Sequence, residues 1–343
     1  MEQRRRVGAY GICRDGAGRV LLVRESARAD FPGVWRLPGS GLAHAEHPEA
    51  GVVRGFAEET GRAVTVTGLV AAVADVISLP QEGVSLHTDR IVFTVAPTDA
   101  SLPDEAGRAG SGEAGGLLPG GFGDPLRGRA GDPLGDRAGD PLGDRAGGAD
   151  LARWATPEEA AALPLLPFTA EALGLPVVPV RPAAPRAVPR APLPPSPADR
   201  RVRFAAYGLV TDPVGRVLLT KIAEGYPGAG LWHLPGGGTD HGEQPAAGLL
   251  RELVEEGGQL GRVLELIAVH NLRNPAALGP EGRPLDWHGV RVIYRVRVDE
   301  PTEARVTELA GGSTADAAWF TPEQLGGLRV TEVVALATGR RAG

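Results

Sequence analysis

The chain has 343 residues, which at about 100–200 residues per domain points to two domains. Apolar residues make up 42% and charged residues 23%, with a formal net charge of −6, which excludes a general nucleic-acid-binding surface. Cys13 is the only cysteine, so no internal disulfide can form, and no apolar run reaches the ~18 residues of a membrane span; a soluble, cytoplasmic protein with no membrane partner is expected.

In chain order, the first feature is a repeat. Tyr10-Gly11 returns as Tyr207-Gly208, and Gly18-Arg19-Val20-Leu21-Leu22 returns as Gly215-Arg216-Val217-Leu218-Leu219. Trp35-Arg36-Leu37-Pro38-Gly39 returns as Trp232-His233-Leu234-Pro235-Gly236, and Glu58-Glu59 as Glu255-Glu256. The spacing is 197 residues throughout, so a whole domain is duplicated, with a period far beyond that of a solenoid. The copies end alike too, since Trp154-Ala155-Thr156-Pro157-Glu158 returns as Trp319-Phe320-Thr321-Pro322-Glu323. That spacing is shorter, so the first copy carries an insert, read at 99–148, where three Gly-Asp-Pro octads lack any apolar face. Proline recurs at least every four positions from Pro176 to Pro197, which marks 176–200 as a semi-rigid linker. The expected organisation is a first domain at 1–175 and a second at 201–343.

Each copy mixes strands and helices. In the second, Arg203–Thr211 and Arg216–Lys221 read as strands around an Asp-Pro-Val-Gly turn, and Leu231–Leu234 as a short strand. Gly236-Gly237-Gly238 reads as a loop and Gln244–Gly257 as a helix. Val263–Asn271 and Val290–Val298 are β-branched strands, and Thr321 caps a helix that starts at Pro322. Without strict βαβ alternation, a mixed sheet between helices is expected.

The helix carries the chemistry. At about 100° per residue, Glu252, Glu255 and Glu256 share one face, while Leu249, Leu250 and Leu253 form another that can pack on a sheet. Three neighbouring carboxylates repel and call for a cation; Arg251 offsets part of the charge, and a hard divalent ion suits oxygen ligands better. The glycines before the helix let backbone approach a ligand closely. A solvated Glu-rich face is the plain alternative.

The segment resembles the Nudix box through Gly237, Glu243, Arg251, Glu252, Leu253, Glu255, Glu256 and Gly258; only Gln259 departs, where an aliphatic residue is usual. The resemblance implies a Nudix-type α/β/α sandwich, present twice in tandem, and hydrolysis of a nucleoside diphosphate linked to another moiety. It implies Mg²⁺, or Mn²⁺, held by Glu252, Glu255, Glu256 and the Gly236 carbonyl, with Glu252 also a candidate base and Arg251 and Glu243 orienting the carboxylates. His288 is a candidate substrate contact, as is His87, each weighed against a packing role. The first copy reads Leu37-Pro38-Gly39-Ser40-Gly41, Glu46, then Arg54-Gly55-Phe56-Ala57-Glu58-Glu59. Ser40 replaces the first box glycine and Gly55 replaces Glu252. Glu58 and Glu59 remain as a degenerate site that holds metal weakly, and Gly55→Glu is expected to tighten it. The second domain is therefore expected to be the catalyst, with the first as its structural or regulatory partner, the two pairing within one chain. The alternative is a non-catalytic protein that binds or senses a nucleotide.

Overall fold

The computed structural model describes residues 1–27, 29–98, 148–180, 199–278, 284–307 and 312–339. The octad insert and most of the proline-rich linker lie outside the described residues. No helix among the described residues is long and apolar enough to cross a membrane.

The first unit contains β1 (Glu2–Cys13), β2 (Val20–Glu25), β3 (Trp35–Arg36), β4 (Gly39–Gly41) and α1 (Pro48–Thr60). It continues with β5 (Val64–Leu79), β6 (Val84–Pro97), β7 (Ala149–Ala155), α2 (Pro157–Ala161) and α3 (Pro167–Ala172). The second unit repeats the order as β8 (Arg200–Thr211), β9 (Val217–Ile222), β10 (Trp232–His233), β11 (Gly236–Gly238) and α4 (Pro245–Gly257). Then follow β12 (Arg262–Leu278), β13 (Pro284–Arg297), β14 (Thr314–Phe320), α5 (Pro322–Leu325) and α6 (Glu332–Thr338).

Both units are built on mixed sheets. The first has the order β4-β1-β6-β5, with β1 and β6 parallel, beside a smaller β3-β2-β7 sheet. In the second, pairing of Val210 with Leu218 and Thr211 with Val217 joins the corresponding pieces into one sheet, β10-β9-β8-β13-β12. Gly236-Gly237-Gly238, read as a loop, is instead the short strand β11, paired with Tyr207, Ala206 and Ala205 of β8. A run of glycines passes for a loop in sequence, but edge pairing to a long strand supplies the order that glycine lacks by itself.

Helices cover both faces. Leu249 and Leu253 of α4 are fully buried against the sheet, as the helical spacing predicts, and Leu325, Val333 and Val334 of α5 and α6 cover the other face. Thr321 closes a capping box with Gln324, and Pro322 stands in the first turn. The hairpins are longer than their β-branched cores suggested: β12 runs to Leu278 and β13 starts at Pro284.

The α1 and α4 sides of the two units share one apolar cluster. Val52 and Phe56 of α1 belong to it together with Leu249, Leu253, Val290 and Val292 of the second unit. Gln244, the residue before α4, accepts from Ala74 N–H at 2.9 Å and donates to Ala74 O. The Tyr294 hydroxyl donates to Ala72 O at 3.3 Å.

Candidate active site

The site is made where β11 meets α4. Gly236 has φ 135°, and a Cβ there would sit 2.2 Å from Ala206 O, so only glycine permits this close pairing with β8. A Cβ on Gly237 would lie 2.6 Å from Glu252 Oε1, so this residue leaves open the space that the carboxylate occupies.

The three helix carboxylates differ in their surroundings. Glu256 is 6% exposed and turns inward; its Oε2 accepts from Gly236 N–H at 2.9 Å and its Oε1 from the Thr314 hydroxyl at 2.5 Å. Burial pushes its carboxyl up to about 7, and the neighbouring Glu252 and Glu255 charges add to the rise. Burial also raises Glu252, against the pull of Arg251. Arg251 is the organiser. It donates to Glu243 Oε1 and Oε2 at 3.0 and 3.2 Å, to Glu252 Oε1 at 3.1 Å and to Glu255 Oε2 at 3.3 Å. Glu243 is held below the usual carboxylate range, first by Arg251 and also by the Asp240 N–H.

The donor set suits a hard divalent cation. Glu256 is a buried carboxylate bonded only to neutral donors, Glu252 and Glu255 lie one helical turn apart or less, and the glycines leave the cradle clear. Among the described residues no three acidic, His or Cys side chains converge tightly enough to enclose a metal as placed. Arg251 draws Glu252 and Glu255 toward itself, so metal binding requires them to turn from it. The structure thus gathers Gly236, Glu243, Arg251, Glu252, Glu255 and Glu256 at one place. Thr314, from β14, was missed by the sequence reading; a lone threonine some sixty positions from the box gives no signal of its own.

His288 is corrected. It is fully buried, its Nε2 hydrogen-bonded to Asn271 Oδ1 at 2.7 Å, and its ring lies 5.5 Å from that of His44. It belongs to the seam between the units and has no exposed atom to offer a substrate. His87, its counterpart in strand register, is likewise fully buried at the seam.

The degenerate first site is also different from its sequence reading. Its clamp survives: Arg54 donates to Glu46 Oε1 and Oε2, both at 2.8 Å, to Glu58 Oε2 at 3.0 Å and to Gly41 O at 2.8 Å. Glu59, however, is taken by the buried Arg36 guanidinium, which forks onto both its oxygens. The Glu59 carboxylate therefore already has a cation beside it, unlike its counterpart Glu256. A Cβ on Gly55 would meet Ser40 Oγ at 2.5 Å and Ser40 N at 2.7 Å. Ser40 and Gly55 are thus exchanged in size against Gly237 and Glu252, and a glutamate at position 55 has no room.

The comparisons agree with the duplication. The sequence model of the NUDIX domain matches residues 3–111 and again residues 201–337. Among solved structures, a MutT NUDIX hydrolase from Burkholderia pseudomallei is 26% identical, with 41% of this chain and 98% of that chain covered and a TM-score of 0.32. The MutT protein from Methanosarcina mazei Go1 is 18% identical, covering 40% and 91% at a TM-score of 0.32. The NUDIX domain of Shewanella oneidensis NrtR, solved with ADP ribose, is also 18% identical, covering 40% and 85% at 0.32. No match was found among curated proteins. With two matches that together cover most of the chain, one on each copy of the repeat, this protein belongs to the NUDIX domain family and is a pyrophosphohydrolase of that family with its domain present twice.

Proposed function

We propose that the second unit hydrolyses a pyrophosphate bond in a nucleoside diphosphate linked to another moiety, using Mg²⁺ or Mn²⁺, and that the first unit is its structural partner. The observation that carries this reading is the contrast at equivalent positions: Glu252 and a cation-free buried Glu256 in one unit, Gly55 and an arginine-paired Glu59 in the other. Glu252, Glu255, Glu256 and the Gly236 carbonyl would hold the metal. When bound, the metal neutralises diphosphate charge and lowers the pKa of its water.

The rest is the work of the chain's own residues. Burial raises the Glu252 carboxyl against the pull of Arg251, which favours it as a proton acceptor. Glu243 anchors Arg251, which bridges Glu252 and Glu255 and offsets part of their charge. The β11 glycines keep side chains out of the space in front of α4. The shared apolar cluster and the bonds from Gln244 to Ala74 support a partner role for the first unit.

The test is Mg²⁺-dependent release of phosphate or nucleoside monophosphate from ADP-ribose, an NDP-sugar, diadenosine tetraphosphate and 8-oxo-dGTP, comparing the native chain with Glu252→Gln. Turnover that survives this substitution at saturating Mg²⁺ removes Glu252 from the mechanism.

A further inference from the structure

We infer that Arg5, His87 and Asp89 of the first unit are positioning residues for the second unit's active-site loop, residues 239–243; the inference rests on the second unit being the catalyst. Parallel pairing of β1 with β6 sets Arg5 opposite His87 and Val7 opposite Asp89. His87 and Asp89 have no exposed surface. Arg5 donates to Thr239 O and Thr239 Oγ1, each at 2.7 Å, and to Asp240 O at 3.1 Å. Gly242 N–H donates to His87 Nδ1 at 2.7 Å, and His87 Nε2 lies 3.0 Å from Asp89 Oδ1 and 3.3 Å from Arg5 Nη2. Asp89 Oδ2 closes the chain with an ion pair to Arg5 Nε at 3.0 Å.

These contacts end on the backbone next to Glu243, and Glu243 holds Arg251. Adhesion alone would be served as well by apolar side chains, because burying charge is costly unless it is fully paired. The opposite seam makes the comparison. There the register positions of Arg5 and Asp89 are filled by Val202 and Val290, and His288 turns to Asn271 of its own unit. The first unit's loop is held more lightly, by Asn271 Nδ2 donating to Ala45 O at 3.3 Å and His44 beside Asp286 at 3.3 Å. The Arg5–His87–Asp89 clamp therefore faces the loop that carries an intact box, while the other loop is met by Asn271, Asp286 and His288.

The experiment uses the full chain and the four-substrate panel. His87→Phe and Arg5→Met should lower kcat by about tenfold to a hundredfold, the scale of a displaced site, with KM changed far less. His87→Asn, whose amide oxygen can replace Nδ1 as acceptor, should recover most of the rate. Amide exchange at Gly242 should quicken in His87→Phe and not in His87→Asn. Arg5→Lys carries the test if His87→Phe fails to fold. Native kcat in folded His87→Phe and Arg5→Met, or a loss that His87→Asn does not repair, overturns the inference. Glu252→Gln serves as the separate control: if it stays active the catalytic reading fails, whereas if it is dead while the seam variants are fully active only this inference fails.

A different observation carries a second inference: the geometry points to Arg36 as the first unit's built-in cation, so that its box does not take a metal. Arg36 Nη1 donates to Glu59 Oε2 at 2.8 Å and to Gly39 O at 3.3 Å. Gly39 and Glu59 match Gly236 and Glu256, and the Gly39 N–H donates to Glu59 at 3.0 Å just as Gly236 N–H does to Glu256. Arg36 also pairs with Glu25, so the guanidinium is shared between two carboxylates. In the second unit the same position is His233, which turns to the Thr331 hydroxyl at 2.7 Å with its ring tilted against that of Tyr207, leaving Glu256 without a cation.

Mn²⁺ binding, followed by electron paramagnetic resonance, tests this without reference to turnover. The double variant Glu252→Gln with Glu256→Gln should lose all tight Mn²⁺ binding, since the first unit contributes none. The triple variant Arg36→His, Ser40→Gly and Gly55→Glu, made on that background, should regain it. Residual tight Mn²⁺ in the double variant that disappears on Glu59→Gln overturns the inference, and this measurement needs no change at Arg36.

Discussion

At the scale of single residues, the two boxes differ by exchanges that make sense only in pairs. Glu252 fills the space Gly237 leaves, and Ser40 fills the space Gly55 leaves. Glu252→Gln keeps the shape and removes a charge beside Glu255 and Glu256, so activity should fall by orders of magnitude while Tm holds or rises. Gly237→Ala should do comparable damage from the opposite side, because its methyl group displaces the Glu252 carboxylate; loss of Mn²⁺ affinity with little loss of Tm is the expected result. Gly55→Glu by itself should destabilise the first unit rather than restore a site, since overpacking typically costs about 1–3 kcal/mol. Thermal melts of Gly55→Glu with and without Ser40→Gly check this, and the second change should recover part of the loss.

At the scale of elements, the turn before each box helix is a sensitive place. Gly242 has φ 88°, and its counterpart Ala45 adopts φ 68° although it carries a Cβ. The left-handed region costs an alanine about 1–2 kcal/mol. Glycine gives back some of that as unfolded-state entropy, about 0.4–1 kcal/mol. Ala45→Gly should therefore raise the Tm of the chain modestly, read by calorimetry, whereas Gly242→Ala should lower it. The strands show why element ends were harder to read than element centres. The cores of β12 and β13 are β-branched and legible, but their outer ends hold Asn, Arg, Asp and His, whose side chains carry no strand signal.

At the scale of the whole molecule, the units are joined by a core that neither completes alone. An isolated 200–343 fragment exposes the α4 side of the shared cluster and loses the contacts to Thr239, Asp240 and Gly242. It should self-associate or melt earlier than the full chain, as light scattering and calorimetry would show. The seam also predicts acid sensitivity. Burial lowers His288 to about 4, with nearby His44 adding to the effect against Asp286 and Glu46. In the unfolded chain the same ring titrates near 6.5, so between about pH 6.5 and 4 the unfolded state binds more protons. Stability should fall as pH drops through that window and be unaffected by His288 above it. His288→Asn should flatten the slope of Tm against pH, and an unchanged slope would assign the acid sensitivity elsewhere.

What the sequence determined by itself was local. The duplication, the helix with Glu252, Glu255 and Glu256 on one face and Leu249 and Leu253 on another, the caps at Thr321 and Pro322, and the loss of a carboxylate at Gly55 all follow from residue types at fixed spacing. Spacing along a helix is geometry, so it survives without tertiary information. The fate of Arg36 was different: its exchange for His233 stands in plain view in the repeat, yet only folding brings it onto Glu59 and Gly39 O. Thr314, Arg5, His87 and Asp89 reach the second box from β14, β1 and β6, and His288 lies in a seam formed by both units. Those assignments depend on strand register and on how two cores merge, which are long-range pairings that no local pattern encodes.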